Sequence, residues 1–310
     1  MLKTDTIMPS QNDPASHFPL LLLDGGTGRE LARLGAPFRQ PEWSALALID
    51  APEFVSAVHR AYVAAGAEVI TTNSYAVVPF HIGEARFAAD GAALAALAGK
   101  LARAEADAAS RPVLVGGSLP PVCGSYRPDL VDLNRARPIV ATLVAALAPH
   151  VDHWLAETLS SLAEAELAAA ETAATGKPLW LSFTLQDEDT TAPPSLRSGE
   201  SVTLAAQTAQ RLGAAAILFN CSQPEVMLGA VKAARAVLGP DSPVRIGVYA
   251  NAFPPMAADA EANAGLSPIR PDLTPEGYAR FAAQWQAAGA SILGGCCGIG
   301  PEHIAALRAI

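Results

Sequence analysis

The chain has 310 residues, 51% of them hydrophobic but only 6% aromatic, a formal net charge of −9 and four cysteines. That length allows one large core or two modest ones, and an acidic chain without a basic run excludes nucleic acid and anionic membrane surfaces as partners. Four cysteines without framework spacing suit a reducing, cytoplasmic compartment rather than a disulfide scaffold.

Residues 1–18 carry one lysine and no apolar core of signal-peptide length, so they read as a disordered arm. No stretch approaches the roughly 18 uninterrupted apolar residues of a membrane span. From residue 19 onward, short apolar runs alternate with alanine-rich helical segments. Residues 20–23 form a first strand, ending in Asp24-Gly25-Gly26-Thr27-Gly28, and a helix is expected at 52–65. A strand at 68–72 is followed by a helix at 90–109, then a strand at 113–117 by a helix that starts at Pro138 and runs to 148. Strands at 151–155 and 179–184 flank a helix at 161–175. Helices at 201–212, 224–238 and 274–288 separate strands at 215–219, 244–248 and 291–293, and a last helical turn follows Pro301.

Strict strand–helix alternation implies a parallel sheet. Eight such units in a chain somewhat above the roughly 250 residues typical of the fold predict a (β/α)8 TIM barrel, an α/β domain over residues 19–310. Two polar, proline-containing loops, 186–200 and 251–271, both follow strands and should lie at the C-terminal face of the barrel, where this fold puts its chemistry.

The candidate polar residues all fall at expected strand ends on that face. Asp24 and Gly25 follow the first strand, Thr71 ends the second and Tyr75 lies just beyond it. Glu157 follows the fourth, Asn220-Cys221 the sixth and Cys296-Cys297 the eighth. Cys296 and Cys297 stand inside Gly294-Gly295-Cys296-Cys297-Gly298, a glycine turn that leaves the backbone bare enough for a ligand to approach. With Cys221 they make a three-sulfur donor set with a fourth position open, the arrangement of a catalytic zinc site.

Plainer readings exist for several of these groups. Asp24 before two glycines is also what a turn or helix cap looks like. Glu157 has the alternative of pairing with a surface lysine or arginine. Cys123 reads as a small buried residue, His153 as packed or pore-lining, and His81 has no partner spacing. Gly25-Gly26-Thr27-Gly28 lacks the lysine of a P-loop and the spacing of a dinucleotide fingerprint.

Three thiolates on zinc leave an electron-rich metal, badly suited to activating water but well suited to holding a fourth thiol as a nucleophile. The implied reaction is alkyl transfer to a substrate thiol. Asp24 and Glu157 would hold a substrate ammonium group, and backbone N–H groups with the Thr71 hydroxyl its carboxylate. An amino-acid thiol fits.

These residues resemble the zinc-dependent homocysteine S-methyltransferases. The resemblance runs from about residue 20 to the end, through Leu23-Asp24-Gly25-Gly26-Thr27-Gly28-Arg29-Glu30-Leu31, residues 67–75, Gly117-Ser118, Glu157-Thr158, Phe219-Asn220-Cys221 and the cysteine pair. It implies a barrel with Cys221, Cys296 and Cys297 as zinc ligands. Asp24 and Glu157 match positions holding the homocysteine amino group, and Gly25 and Thr71 others lining that pocket. Asn220 matches the residue preceding the first zinc cysteine, and Tyr75 a tyrosine that approaches zinc when no thiol is bound. Gly124-Ser125-Tyr126-Arg127 resembles the donor-side loop of the sulfonium-using branch, as does Val248-Tyr249-Ala250-Asn251, although Ala250 stands where that branch has proline.

The implied activity is methyl transfer from S-methylmethionine or S-adenosylmethionine to homocysteine, giving methionine. Selenocysteine or another small thiol as acceptor, betaine as donor, and a non-enzymatic thiol-redox or metal-binding protein are the alternatives. Oligomeric state is not legible in the sequence.

Overall fold

The computed structural model describes residues 18–255 and 268–310. Residues 1–17 of the expected arm and 256–267 of the expected second loop lie outside these. Eight strands run β1 (Leu21–Leu22), β2 (Val69–Thr71), β3 (Leu114–Leu119), β4 (His153–Leu159), β5 (Leu179–Phe183), β6 (Ala216–Asn220), β7 (Arg245–Tyr249) and β8 (Ile292–Leu293). All ladders are parallel, in the order β1-β8-β7-β6-β5-β4-β3-β2. The ring closes between β1 and β2 through one parallel bridge, Leu23 to Val69, with Asp24 N donating to the Val69 carbonyl at 3.0 Å. This is the (β/α)8 barrel expected from the alternation.

Parallel strands are covered on both faces, so each reads as a continuous apolar run. Leu155, Trp180, Leu218, Tyr249 and Ile292 fill the barrel interior. A larger apolar layer lies between the strands and the surrounding helices. Ten of the helices among the described residues are α1 (Thr27–Arg33), α2 (Ser44–Asp50), α3 (Pro52–Ala65), α4 (Pro79–Ile82), α5 (Glu84–Asp107), α6 (Leu133–Leu147), α7 (Leu162–Thr172), α8 (Val202–Arg211), α9 (Pro224–Leu238) and α10 (Pro275–Ala287). A further helix, α11 (Pro301–Leu307), closes the chain. Among the described residues, no helix is long and apolar enough to cross a membrane.

The short helices α1, α2 and α4 were not expected from the sequence, and three expected elements are displaced. Helix α6 begins not at Pro138 but at Leu133, capped by the Asp132 carboxylate, which accepts from the N–H groups of Asn134 and Arg135. Asp132 supplies the better start signal, and Pro138 sits inside the helix at the cost of one backbone hydrogen bond. Helix α5 starts six residues early, at Glu84 rather than 90. Strand β4 is displaced toward the C-terminus, with consequences for Glu157.

Candidate active site

Two glycine turns meet at the C-terminal face. The turn after β1 and the turn after β8 lie so close that a Cβ on Gly26 would stand 2.6 Å from the Cys296 carbonyl oxygen and 3.0 Å from Cys297 Cα. Only glycine allows that approach. Two buried tyrosines fasten the turns. Tyr62 donates its hydroxyl toward the carbonyls of Gly26 and Ile299, at 3.2 and 3.1 Å, and Tyr278 toward that of Gly294 at 2.7 Å. The cysteine turn is also tied to the end of β7, through Cys296 N to the Ala250 carbonyl and Ala252 N to the Cys297 carbonyl, both 2.9 Å.

The three expected sulfurs come together. The Sγ atoms of Cys221, Cys296 and Cys297 lie within 4.8 Å of one another, and the Cys221–Cys296 separation is 2.7 Å. Sulfurs sharing one tetrahedral zinc at about 2.3 Å would stand about 3.8 Å apart, inside the 4.8 Å limit that holds all three. Cys297 is drawn well below the usual thiol range by the hydrogen bonds it takes from Cys221 and Cys296, while Cys296 is pushed well above it by its hydrogen bonds to Cys221 and Cys297. This donor set fits a soft divalent ion. Cys123 lies elsewhere, half-buried, with its sulfur 3.9 Å from the Asp132 carbonyl oxygen.

Asp24 is 5% exposed and accepts from Thr71 twice, from the amide at 2.7 Å and the hydroxyl at 3.0 Å. The Thr71 hydroxyl thus donates to Asp24. Burial pushes the Asp24 carboxyl up to about 7 against these two hydrogen bonds. Asp24 does not act as a side-chain cap for α1, whose N-cap is Gly26.

Glu157 lies inside β4 rather than after it. The β4–β5 register shifts between Ala156 and Leu159, where three steps on β4 match two on β5 (Ala156 to Leu181, Leu159 to Phe183). Such a bulge re-aims side chains, and here it coincides with a left-handed φ of +59° at Thr158. Glu157 meets the Ser118 hydroxyl at 2.5 Å and the Tyr249 hydroxyl at 3.2 Å, instead of a surface lysine or arginine. Burial pushes its carboxyl up to about 7 as well.

Asn220 does not line the cleft. Its Oδ1 accepts from Thr158 N at 3.0 Å and Ser182 Oγ at 2.8 Å, while its Nδ2 donates to Thr158 Oγ1 at 2.8 Å. It fixes the bulge that carries Glu157 and immediately precedes Cys221, itself left-handed at φ +52°. Tyr75 does line the cleft, with its hydroxyl 2.6 Å from Ser125 Oγ. His153 is packed against Trp180 in the barrel interior, with ring centroids 3.9 Å apart.

The cleft encloses about 140 Å³, room for on the order of ten waters and hence for small metabolites. Its lining includes Arg29, Phe38, Trp43 and Phe253, to which the sequence reading gave no role, and His81, which it set aside for want of partner spacing. His81 sits 3.0 Å from the Pro41 carbonyl through Nδ1, with its ring against Trp43, Tyr75 and Phe80. Tyr126 holds a left-handed φ of +66° beneath the Arg197 guanidinium, 5.3 Å above its ring. Arg197 in turn pairs with Asp187 at 2.9 Å, both side chains buried, and Asp187 accepts from Gln223 N at the start of α9. Loop 186–200 is thereby pinned at the active face.

The family model for homocysteine S-methyltransferase matches residues 21–310. The homocysteine S-methyltransferase of Escherichia coli (strain K12) is 34% identical over 97% of this chain and 99% of its own length. Homocysteine S-methyltransferase 1 of Zea mays is 29% identical over 93% of each. The metallated form of the homocysteine methyltransferase MmuM from Escherichia coli superposes with a TM-score of 0.73 at 29% identity, covering 94% of this chain and 96% of that one.

Proposed function

The chain belongs to the homocysteine S-methyltransferase family, an enzyme that moves a methyl group onto a thiol, and we propose that its metal is zinc and its donor a sulfonium. The observation that carries this reading is the meeting of three sulfurs, one buried and two half-buried, with the buried Asp24 and half-buried Glu157 carboxyls in one small cleft. Cys221, Cys296 and Cys297 hold the ion. Bound there, zinc would acidify a fourth, incoming thiol and keep it as a nucleophilic thiolate.

The remaining work belongs to the protein's own groups. Asp24 and Glu157, whose carboxyls burial pushes up to about 7, are ionised when they form charge-assisted hydrogen bonds with the homocysteine ammonium group. Thr71 orients the first, and Ser118 with Tyr249 the second. Anchoring the amino end leaves the sulfur end to reach the cysteine cluster. Phe38, Trp43 and Phe253 form an apolar, electron-rich wall that suits an onium methyl donor and keeps water out. Ser125 and Tyr126, from the segment that resembles the sulfonium-using branch, line the same cleft. A sulfonium leaves as a neutral thioether, so the site has no developing anion to stabilise. Bringing sulfur and methyl carbon into line is the protein's main contribution.

The test is methionine formation from homocysteine with S-methylmethionine, S-adenosylmethionine, betaine or methylfolate, with zinc measured on the same sample. Turnover with a sulfonium donor, lost on chelation and restored by zinc, is expected. Turnover with betaine alone, or full activity in metal-stripped protein, overturns the reading.

A further inference from the structure

We propose that Arg29 is the residue that selects the methyl donor, by forking its guanidinium onto the donor's α-carboxylate. The inference rests on the proposed sulfonium donor and deepens it, because it restricts the donor to amino-acid sulfoniums.

The charge pattern of the cleft is the first support. Asp24, Glu157 and three sulfurs give it an anionic lining, and Arg29 is the one lysine or arginine lining it among the described residues. Those acidic groups serve an ammonium and a metal ion; none can receive a carboxylate. A sulfonium built on the methionine skeleton brings a second carboxylate into the same small space, and a buried anion without a cationic partner is costly. Arginine matches a carboxylate bidentately, as lysine does not.

Position is the second support. Arg29 lies five residues beyond Asp24, on helix α1 as it leads away from the strand end, and its Cζ stands 5.5 Å over the Phe253 ring. The neighbouring Gly28 faces Phe38 and Trp43. The guanidinium therefore stands with the aromatic wall of the cleft. In an in-line transfer the donor lies beyond the acceptor sulfur, on that wall. From the sulfonium to the carboxylate of a methionine skeleton is on the order of 5 Å, so a donor whose sulfur rests against the wall has its carboxylate within reach of Arg29.

The decisive comparison uses S-methylmethionine and its decarboxylated counterpart, (3-aminopropyl)dimethylsulfonium, on the zinc-loaded wild-type enzyme and on Arg29→Gln. In the wild type, kcat/KM should favour the carboxylate-bearing donor by about 10- to 100-fold, the range of one charge-assisted pair. R29Q should raise the KM for S-methylmethionine by a similar factor, leave the KM for homocysteine unchanged, and erase the preference between donors. Arg29→Lys should fall between the two. A rise in homocysteine KM with donor KM unchanged overturns the proposal by assigning the guanidinium to the acceptor. Equal losses with both donors, or none, overturn it by leaving Arg29 a structural stack on Phe253. If R29Q does not fold, equal kcat/KM for the two donors on the wild type is sufficient to overturn it. If the wild type turns over neither sulfonium, the sulfonium reading falls first and this inference with it. Turnover with an unchanged R29Q removes this inference alone.

Discussion

Ser118 on β3 and Glu157 on β4, two residues beyond Leu155 with which Ser118 is in register, share a hydrogen bond of 2.5 Å that aims the Glu157 carboxyl into the cleft. The hydroxyl stabilises the ionised form while burial opposes it, and burial prevails. Glu157→Gln should raise the homocysteine KM by about 10- to 100-fold, the loss of one charge-assisted hydrogen bond, with zinc content unchanged. Ser118→Ala should act more weakly in the same direction and shift the pH dependence of that KM upward. Steady-state kinetics across pH would check both, and a Glu157→Gln enzyme with normal KM would remove the carboxylate from the binding role.

Stability should carry the same signature. The folded carboxyls of Asp24 and Glu157 are pushed up to about 7, above their ordinary values of 3.8 and 4.5, so the native state binds protons more tightly than the unfolded chain. Their contribution is fully present below about pH 4 and is lost as pH rises through 7. The Tm of metal-free protein should therefore fall between pH 5 and pH 8, and the fall should be shallower in an Asp24→Asn, Glu157→Gln double variant. Methionine, which brings an ammonium group but no thiol, should release protons on binding near pH 6. Calorimetry in buffers of different ionisation enthalpy reads that release directly.

Asn220 is fully buried and spends its amide on Thr158 and Ser182. Asn220→Ala leaves those groups without partners and should cost about 2–4 kcal/mol in stability. Because the same residue holds both the bulge of Glu157 and the strand end before Cys221, homocysteine KM and metal retention should worsen together. Denaturant unfolding with a chelator-competition assay would show it. Loss of stability alone would confine Asn220 to packing.

The Arg197–Asp187 pair is buried at 4% and 0% exposure. Replacing Arg197 with Met strands a carboxylate in the interior and should destabilise by about 3–5 kcal/mol. Removing both charges, as in Arg197→Met with Asp187→Leu, should recover much of that loss. Equal destabilisation of the single and double variants would show that the pair is not the source.

Much of the barrel is legible because strands covered on both faces must be apolar throughout, and each run of that kind marks a strand. The same criterion misplaced β4. Glu157 and Thr158 are polar and look like loop, yet the strand continues through them to Leu159, because a bulge and the Asn220 side chain satisfy what the ladder leaves open. The cysteine motifs were readable for a chemical reason: three thiols at two strand ends have few other uses in this fold. The aromatic wall was not. Phe38 and Trp43 come from the stretch between β1 and α3, where α1 and α2 are single short helices of seven residues each, too brief to show a helical period. Arg29 belongs to the same stretch, and nothing in its local pattern separates a cleft arginine from a solvent-facing one.

The ring of strands is joined unevenly, and its thinnest joint has a particular address. Between β1 and β2 there is no ladder, only the bridge at Leu23 and Val69 and the backbone and side-chain hydrogen bonds around Glu68, Asp24 and Thr71. An amino acid gripping Asp24 therefore also buttons the barrel at its loosest stitch. Amide protons of Asp24 and Thr71 should exchange with solvent sooner than those of β5 in the empty enzyme, and slow once an amino acid is bound. A molecule of a few heavy atoms would thus be felt as stiffness around the whole circumference.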